Sequence, residues 1–265
     1  MKKILKIELG RALNGIGMIL GTIIGVASII YQLMPIIERE LNMEYIYEIN
    51  GGFYSYWLPR YLDGSTIYYF YFIGIIAALP YGISYYKDKK SGLIKNICNR
   101  VDRHKYIMAK YIATFVSGGL AVTIPIVVDF FAIKLICPVD SFVACGEMLR
   151  ATSEGMVFIV DHPYIAAIIL TFAWFIFGGA LATVSLVVST ITNNFFTIQL
   201  SPFFIMLILF YLPTLLPTEY NCFFPFYFLT LFGQVNFKIS FGISILFAIV
   251  TFAIYTKMEI NKDII

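Results

Sequence analysis

Charge is what this sequence has least of: Asp, Glu, Lys and Arg make up 13% of its 265 residues, about half the usual share of roughly 25% in soluble domains. A soluble fold could not cover its surface with so few, and the charges it has are gathered into a few places. Ala12 to Met34, Tyr164 to Thr190 and Phe195 to Leu216 contain none. Each run exceeds the roughly 20 residues needed to cross about 30 Å of hydrocarbon. Four cysteines form no C-x-x-C pair and the two histidines lie far apart, so neither a zinc site nor a redox motif is spelled. Cys137, Cys145 and Cys222 leave open whether any pair forms a disulfide. H-E-x-x-H, G-x-S-x-G and a clustered acidic pair within an apolar run are all missing, which speaks against an intramembrane enzyme. No G-x-x-x-x-G-K-[ST] occurs either, so the chain brings no phosphate-binding loop of its own.

The apolar runs predict an all-α membrane protein with six spans at 12–34, 67–85, 107–133, 164–190, 195–216 and 239–256. Residues 1–11 mix Ile4, Leu5 and Leu9 with Lys2, Lys3, Lys6 and Arg11, the pattern of a short interfacial helix. The following apolar run is too long for a secretory signal and ends at Met34-Pro35 without a small-x-small site, so it reads as a retained first span. Segment 217–238 is apolar but interrupted. Its longest clean part, Phe226 to Phe232, would rise only ~10 Å as a helix, which predicts a re-entrant or interfacial hairpin on the outer side between the fifth and sixth spans.

Basic residues set the orientation. Of nineteen Lys and Arg, four lie in the N-terminal segment, eight between Lys87 and Lys110 and two in the tail. The positive-inside rule then places both termini and the 87–110 segment in the cytoplasm of a multi-pass cell-membrane protein. The opposite side carries ten acids, among them Glu40, Glu44 and Glu48. Written at 100° per residue, the segment also has helical phase. Leu93, Ile94, Ile97, Cys98 and Val101 share an arc of about 140°, while Lys95, Asn96, Asn99, Arg100 and Arg103 fill the rest. A tether needs charge but no phase, so a contact helix is expected over 87–105.

This layout resembles the type-2 permeases of the ATP-binding-cassette (ABC) exporters. The resemblance is concentrated in Asp88, Gly92, Leu93, Ile94, Arg103, Tyr106 and Lys110, standing where that family tends to show an acid, Gly, an apolar pair, a basic residue, and an aromatic and Lys opening the third span. Asp88 replaces the more frequent Glu, Leu93 a frequent Thr, and no Pro precedes Arg103. The resemblance implies a cytoplasmic coupling helix that docks on a separate ATPase dimer, which binds the ATP and Mg, and a second permease, identical or related. It implies a transport subunit rather than an enzyme, and no nucleic-acid partner. On this reading the coupling contact uses Asp88, Gly92, Leu93, Ile94, Lys95, Ile97, Arg100, Val101 and Arg103, with the apolar arc seated in a groove of the ATPase.

Three further features have two readings each. Gly17, Gly21 and Gly25 form a small-xxx-small stripe that suits a subunit interface or packing within the subunit. The fourth span's small face, Gly178, Ala182, Ser185 and Ser189, is expected to pack internally. Tyr54, Trp57 and their aromatic neighbours suit an interfacial belt or, with Glu40, Glu44 and Glu48, a surface for a cationic amphipathic substrate. The expected cargo is therefore an amphipathic molecule, an antimicrobial peptide or a lipid-like compound. A different class, a non-transporting membrane subunit for binding, immunity or sensing, needs no ATPase contact. Asp129, late in the third span, is expected at the outer boundary near Lys134.

Overall fold

A computed structural model describes residues 1–41, 57, 66–136, 158, 162–229 and 237–260. Among them every regular element is helical. In chain order these are α1 (Lys2–Leu13), α2 (Ile16–Leu41), α3 (Thr66–Ala78), α4 (Ser84–Lys90), α5 (Leu93–Cys98), α6 (Arg103–Ile136), α7 (Pro163–Ile191), α8 (Phe195–Tyr211), α9 (Pro225–Leu229) and α10 (Phe237–Ile260). Among the described residues five stretches are long and apolar enough to cross a membrane: Ile16–Pro35, Arg103–Ile136, Tyr164–Ile191, Phe195–Leu215 and Lys238–Glu259. The chain is an all-α protein of multi-pass membrane type.

The second span departs from expectation. A single helix was predicted over 67–85, but α3 stops at Ala78, and its 13 residues reach only about 20 Å. Pro80 is the cause. It has no N–H to return to the carbonyl of Ile76, so the chain turns through Leu79–Ile83, held by Gly82 N–H to Ala78 O at 2.9 Å, before α4 begins. The predicted contact helix over 87–105 is likewise two helices and a turn. Gly92, at φ 71°, is left-handed and separates α4 from α5. Val101 stands in the turn before α6, outside the helical arc it was assigned to.

At the centre α6 and α7 pack closely, because glycines on each helix receive side chains of the other across the seam. A Cβ on Gly118 would fall 2.2 Å from the Cβ of Ala182, and one on Gly178 would fall 2.8 Å from the Cβ of Val122. Ala182, Ser185 and Ser189 are fully buried, as expected of a small face packed inside the subunit. The other flank of α7 is covered by α10, while α1 and α2 lie along α6 and α3 fits among α2, α6, α7 and α8. Phe70, Ile73, Val122, Trp174, Phe177 and Leu181 form the middle of the apolar core.

The first-span glycine stripe is not free for another subunit. A Cβ on Gly17 would stand 2.1 Å from the carbonyl oxygen of Leu79, one on Gly21 3.2 Å from that of Ile76, and one on Gly25 2.4 Å from Cγ of Pro125. The stripe lets α2 approach α3 and α6 of its own chain, which favours packing within the subunit, the second of its two readings, over a subunit interface. Asp129, in the last third of α6, is buried within the bundle. After α8 the chain makes two 3-10 turns, Leu212–Leu215 and Thr218–Phe223, before α9. Phe226 of α9 inserts between Phe70 and Phe210, at ring separations of 5.4 and 5.1 Å, and the Leu229 carbonyl accepts from Trp174 Nε1 at 3.0 Å. This part of 217–238 folds onto the bundle; residues 230–236 lie outside the described set.

Candidate functional site

The charged residues that the apolar runs exclude meet at the end of the bundle where α1, α4 and α6 converge. Lys110, in the third turn of α6, has no solvent exposure, and its ammonium reaches two carboxylates, Glu8 of α1 at 3.0 Å and Asp88 of α4. Arg11, one turn beyond Glu8, spans Asp88 with both terminal nitrogens at 2.7 and 3.2 Å and touches Glu8 at 3.2 Å. Two phenols complete the cluster: Tyr106 donates to Asp88 at 2.9 Å and Tyr81 to Glu8 at 2.5 Å. The Lys110 ammonium also lies over the Tyr81 ring, 4.6 Å from its centroid.

Burying the three charges of Glu8, Asp88 and Lys110 costs several kcal/mol per ion, recovered only when partners and hydrogen bonds are complete. Here the condition is met. Two carboxylates face two cations, so the cluster is neutral, and each carboxylate accepts from three different side chains. At Asp88 burial alone would raise the carboxyl pKa, but the hydrogen bond from Arg11 and the charge of Lys110 outweigh it and hold it below the ordinary carboxylate range. The same bond to Asp88 raises the pKa of Arg11.

A second cluster sits beside the first. Glu259, near the end of α10 and 1% exposed, accepts from the Tyr85 hydroxyl and pairs with Arg103 at 3.6 Å. Tyr85 meets Tyr255 edge to face, and these two with Tyr106, Ile107, Tyr111 and Leu186 make a small apolar core. Ile94 and Ile97 of α5 rest on that core. A third tie runs from Lys89 Nζ to Asn193 Oδ1 at 3.0 Å, joining α4 to the turn between α7 and α8. The α4–α5 segment is thus held by α1, α6, α10 and the α7–α8 turn together.

This arrangement revises the use of the predicted contact residues. Ile94 and Ile97 were expected to enter a partner's groove, but they face inward, because a six-residue helix can cover the Tyr85–Tyr106 core on one side only. Arg103, one of the expected contact residues, pairs with Glu259 of its own chain. Asp88 belongs to the buried cluster. Leu93 and Val101 are half-buried, and Lys95, Asn96, Asn99 and Arg100 are exposed on the outward face. Of the proposed substrate surface, Trp57 is half-buried and packs edge to face on Phe130 at 5.3 Å, while Glu40 lies in the last turn of α2. Glu44, Glu48 and Tyr54 fall outside the described residues, as do Cys137 and Cys145. Cys222 is a free thiol.

Sequence reasoning missed Glu8, Arg11, Tyr81, Tyr85 and Glu259. One signal was available: Glu8 is the only acid before Glu38, set among four basic residues where a solvated or topology-fixing segment has no use for it. Lys110 and Tyr106 were noticed only through the resemblance. No protein-family profile, curated protein or solved structure matches this chain.

Proposed function

We propose that the chain is a permease subunit of an ATP-driven exporter of the ABC type-2 class. On this reading it has six spans, the second made of α3 and the turn after it, with α9 and its flanks as an outer re-entrant hairpin and both termini in the cytoplasm of a cell membrane. A separate ATPase dimer binds ATP and Mg and pushes on α4–α5. A second permease, identical or related, completes the path for an amphipathic peptide or lipid-like compound moving outward. With the glycine stripe occupied within the subunit, that second permease has the exposed apolar face of α2, Ile16, Ile19, Ile23 and Ile30, among the surfaces open to it and to lipid.

One observation carries the reading. A short surface segment is wired into α1, α6 and α10 by two buried ionic clusters, when a loop that only fixed topology would need no buried charge at all. Such wiring turns a push on α4–α5 into a displacement of the helices that span the membrane. The contact with the ATPase is then the outward face, Leu93, Lys95, Asn96, Asn99 and Arg100, with Ile94 and Ile97 as its inner support. Affinity purification of the tagged chain from its native membranes tests this. Recovery with a polypeptide carrying a phosphate-binding loop, lost on Lys95→Glu with Arg100→Glu, is expected. Recovery with a toxin or receptor and no ATPase would favour the non-transporting binding subunit.

A further inference from the structure

The outward face of α1 has a composition that the exporter reading does not use. Lys2, Lys3 and Lys6 are exposed on one side of the helix, with exposed aliphatic side chains among or beside them, Leu13 at 37% and Ile7 at 54%. The only acid of the helix, Glu8, is turned inward, and so is the contact made by Arg11. A face buried in hydrocarbon would not carry three lysines, while the two exposed aliphatic side chains beside them have a use at an apolar boundary. The combination fits the headgroup level, where lysine stems lie along acyl chains and ammoniums reach phosphates. The position agrees, since α1 passes through Asn14–Gly15 into α2, an apolar helix long enough to cross a membrane, whose Ile19, Leu20 and Ile23 are exposed.

The inner side of the same helix is the grip on α4. Glu8 and Arg11, at adjacent turns, hold Lys110 and Asp88, so α1 cannot rise or sink in the interface without stretching the contacts at the base of α4. We propose that α1 is a seat for anionic phospholipid headgroups of the inner leaflet and that occupancy of the seat holds α4–α5 in place. The permease would thereby respond to the anionic lipid content of its membrane. The ionic network gives the direction: anionic lipid draws the lysine face to its proper depth, Arg11 meets Asp88, and α4–α5 is ordered.

The inference needs the orientation proposed above but no ATPase, and its test contains none. The full chain is placed in lipid nanodiscs of phosphatidylcholine with or without phosphatidylglycerol, and amide exchange is followed over Ser84–Cys98. Each lysine near an anionic surface changes partition by about fivefold, so phosphatidylglycerol is expected to slow exchange there by about tenfold or more. Lys2→Gln with Lys3→Gln and Lys6→Gln should abolish the response. Lys2→Arg with Lys3→Arg and Lys6→Arg, which keeps the charge and reports on folding, should retain it. Equal exchange in both lipids overturns the seat, and protection confined to residues 2–13 overturns its link to α4–α5. A response that survives the Gln variant overturns the role of the lysines. An intact response in a chain that never binds an ATPase would keep this inference and sink the exporter reading.

Discussion

Removing the Asp88 carboxylate tests the inner cluster at its most connected atom pair. In Asp88→Asn the donors from Arg11, Lys110 and Tyr106 lose their anion, and the cluster passes from neutral to one positive charge in excess. Breaking a buried pair by deleting one partner costs about 3–5 kcal/mol. Arg11 is 38% exposed and can turn to water, so its share is discounted, whereas Lys110 has no exposure and cannot. That places the expected loss near the lower end, about 3 kcal/mol. Unfolding in mixed micelles titrated with dodecyl sulfate reads it. Lys110→Met repeats the imbalance with the opposite sign. The double variant, which keeps the Arg11–Glu8 pair and restores neutrality, should lose less than the sum of the two, by on the order of 1–3 kcal/mol. Additive losses, or an Asp88→Asn loss under about 0.5 kcal/mol, would show that the four charges are not one network.

Other perturbations follow from the same contacts. Because Asp88 has a lowered pKa in the folded chain, its stabilisation is fully present above the unfolded value of about 3.9 and fades as pH falls through the folded one. Wild type should therefore lose stability below about pH 4 by an increment that Asp88→Asn lacks, and equal acid profiles would contradict this. Gly17→Leu should destabilise the subunit by about 1–3 kcal/mol or more through collision with Leu79 and Pro80, while leaving the stoichiometry of any complex unchanged. Dissociation without destabilisation would restore the interface reading. A cysteine at Ser91 should resist an impermeant thiol reagent in intact cells while one at Ser153 reacts, and labelling of Ser91 from outside would reverse the orientation.

How far the sequence carried this picture depends on the kind of residue. The charge-free runs announced the long helices because nothing else can be built from them, and the ends of α6 and α7 fall within a few residues of the expected limits. The breaks were harder to see. Pro80 was visible, yet a proline in an apolar run also fits a kinked helix, and it takes the structure, with the turn after Ala78 and Gly17 packed beneath Leu79, to show that the chain turns there. Gly92 was noticed as part of a motif without its consequence, that a left-handed residue divides the contact helix and swings Asp88 away from Ile94 and Ile97. The amphipathic arc was real in phase. Its apolar side was assigned to a partner because periodicity shows that a face is buried and not what buries it. The ionic cluster was least legible, since Glu8, Asp88 and Lys110 are separated by most of three helices and nothing local in the sequence pairs them.

On the proposed reading, α4–α5 presents its polar face to an ATPase while Ile94 and Ile97 anchor it to the membrane helices. A photo-crosslinking side chain placed at Asn96, on the exposed face, and separately at Ile97, on the inward one, measures this most directly in native membranes. Asn96 is expected to yield an adduct with a protein bearing a phosphate-binding loop, more strongly as nucleotide is added, and Ile97 only intramolecular adducts. An ATPase adduct from Ile97 would restore the groove-insertion geometry, and adducts with lipid alone from Asn96 would contradict the coupling role of the segment.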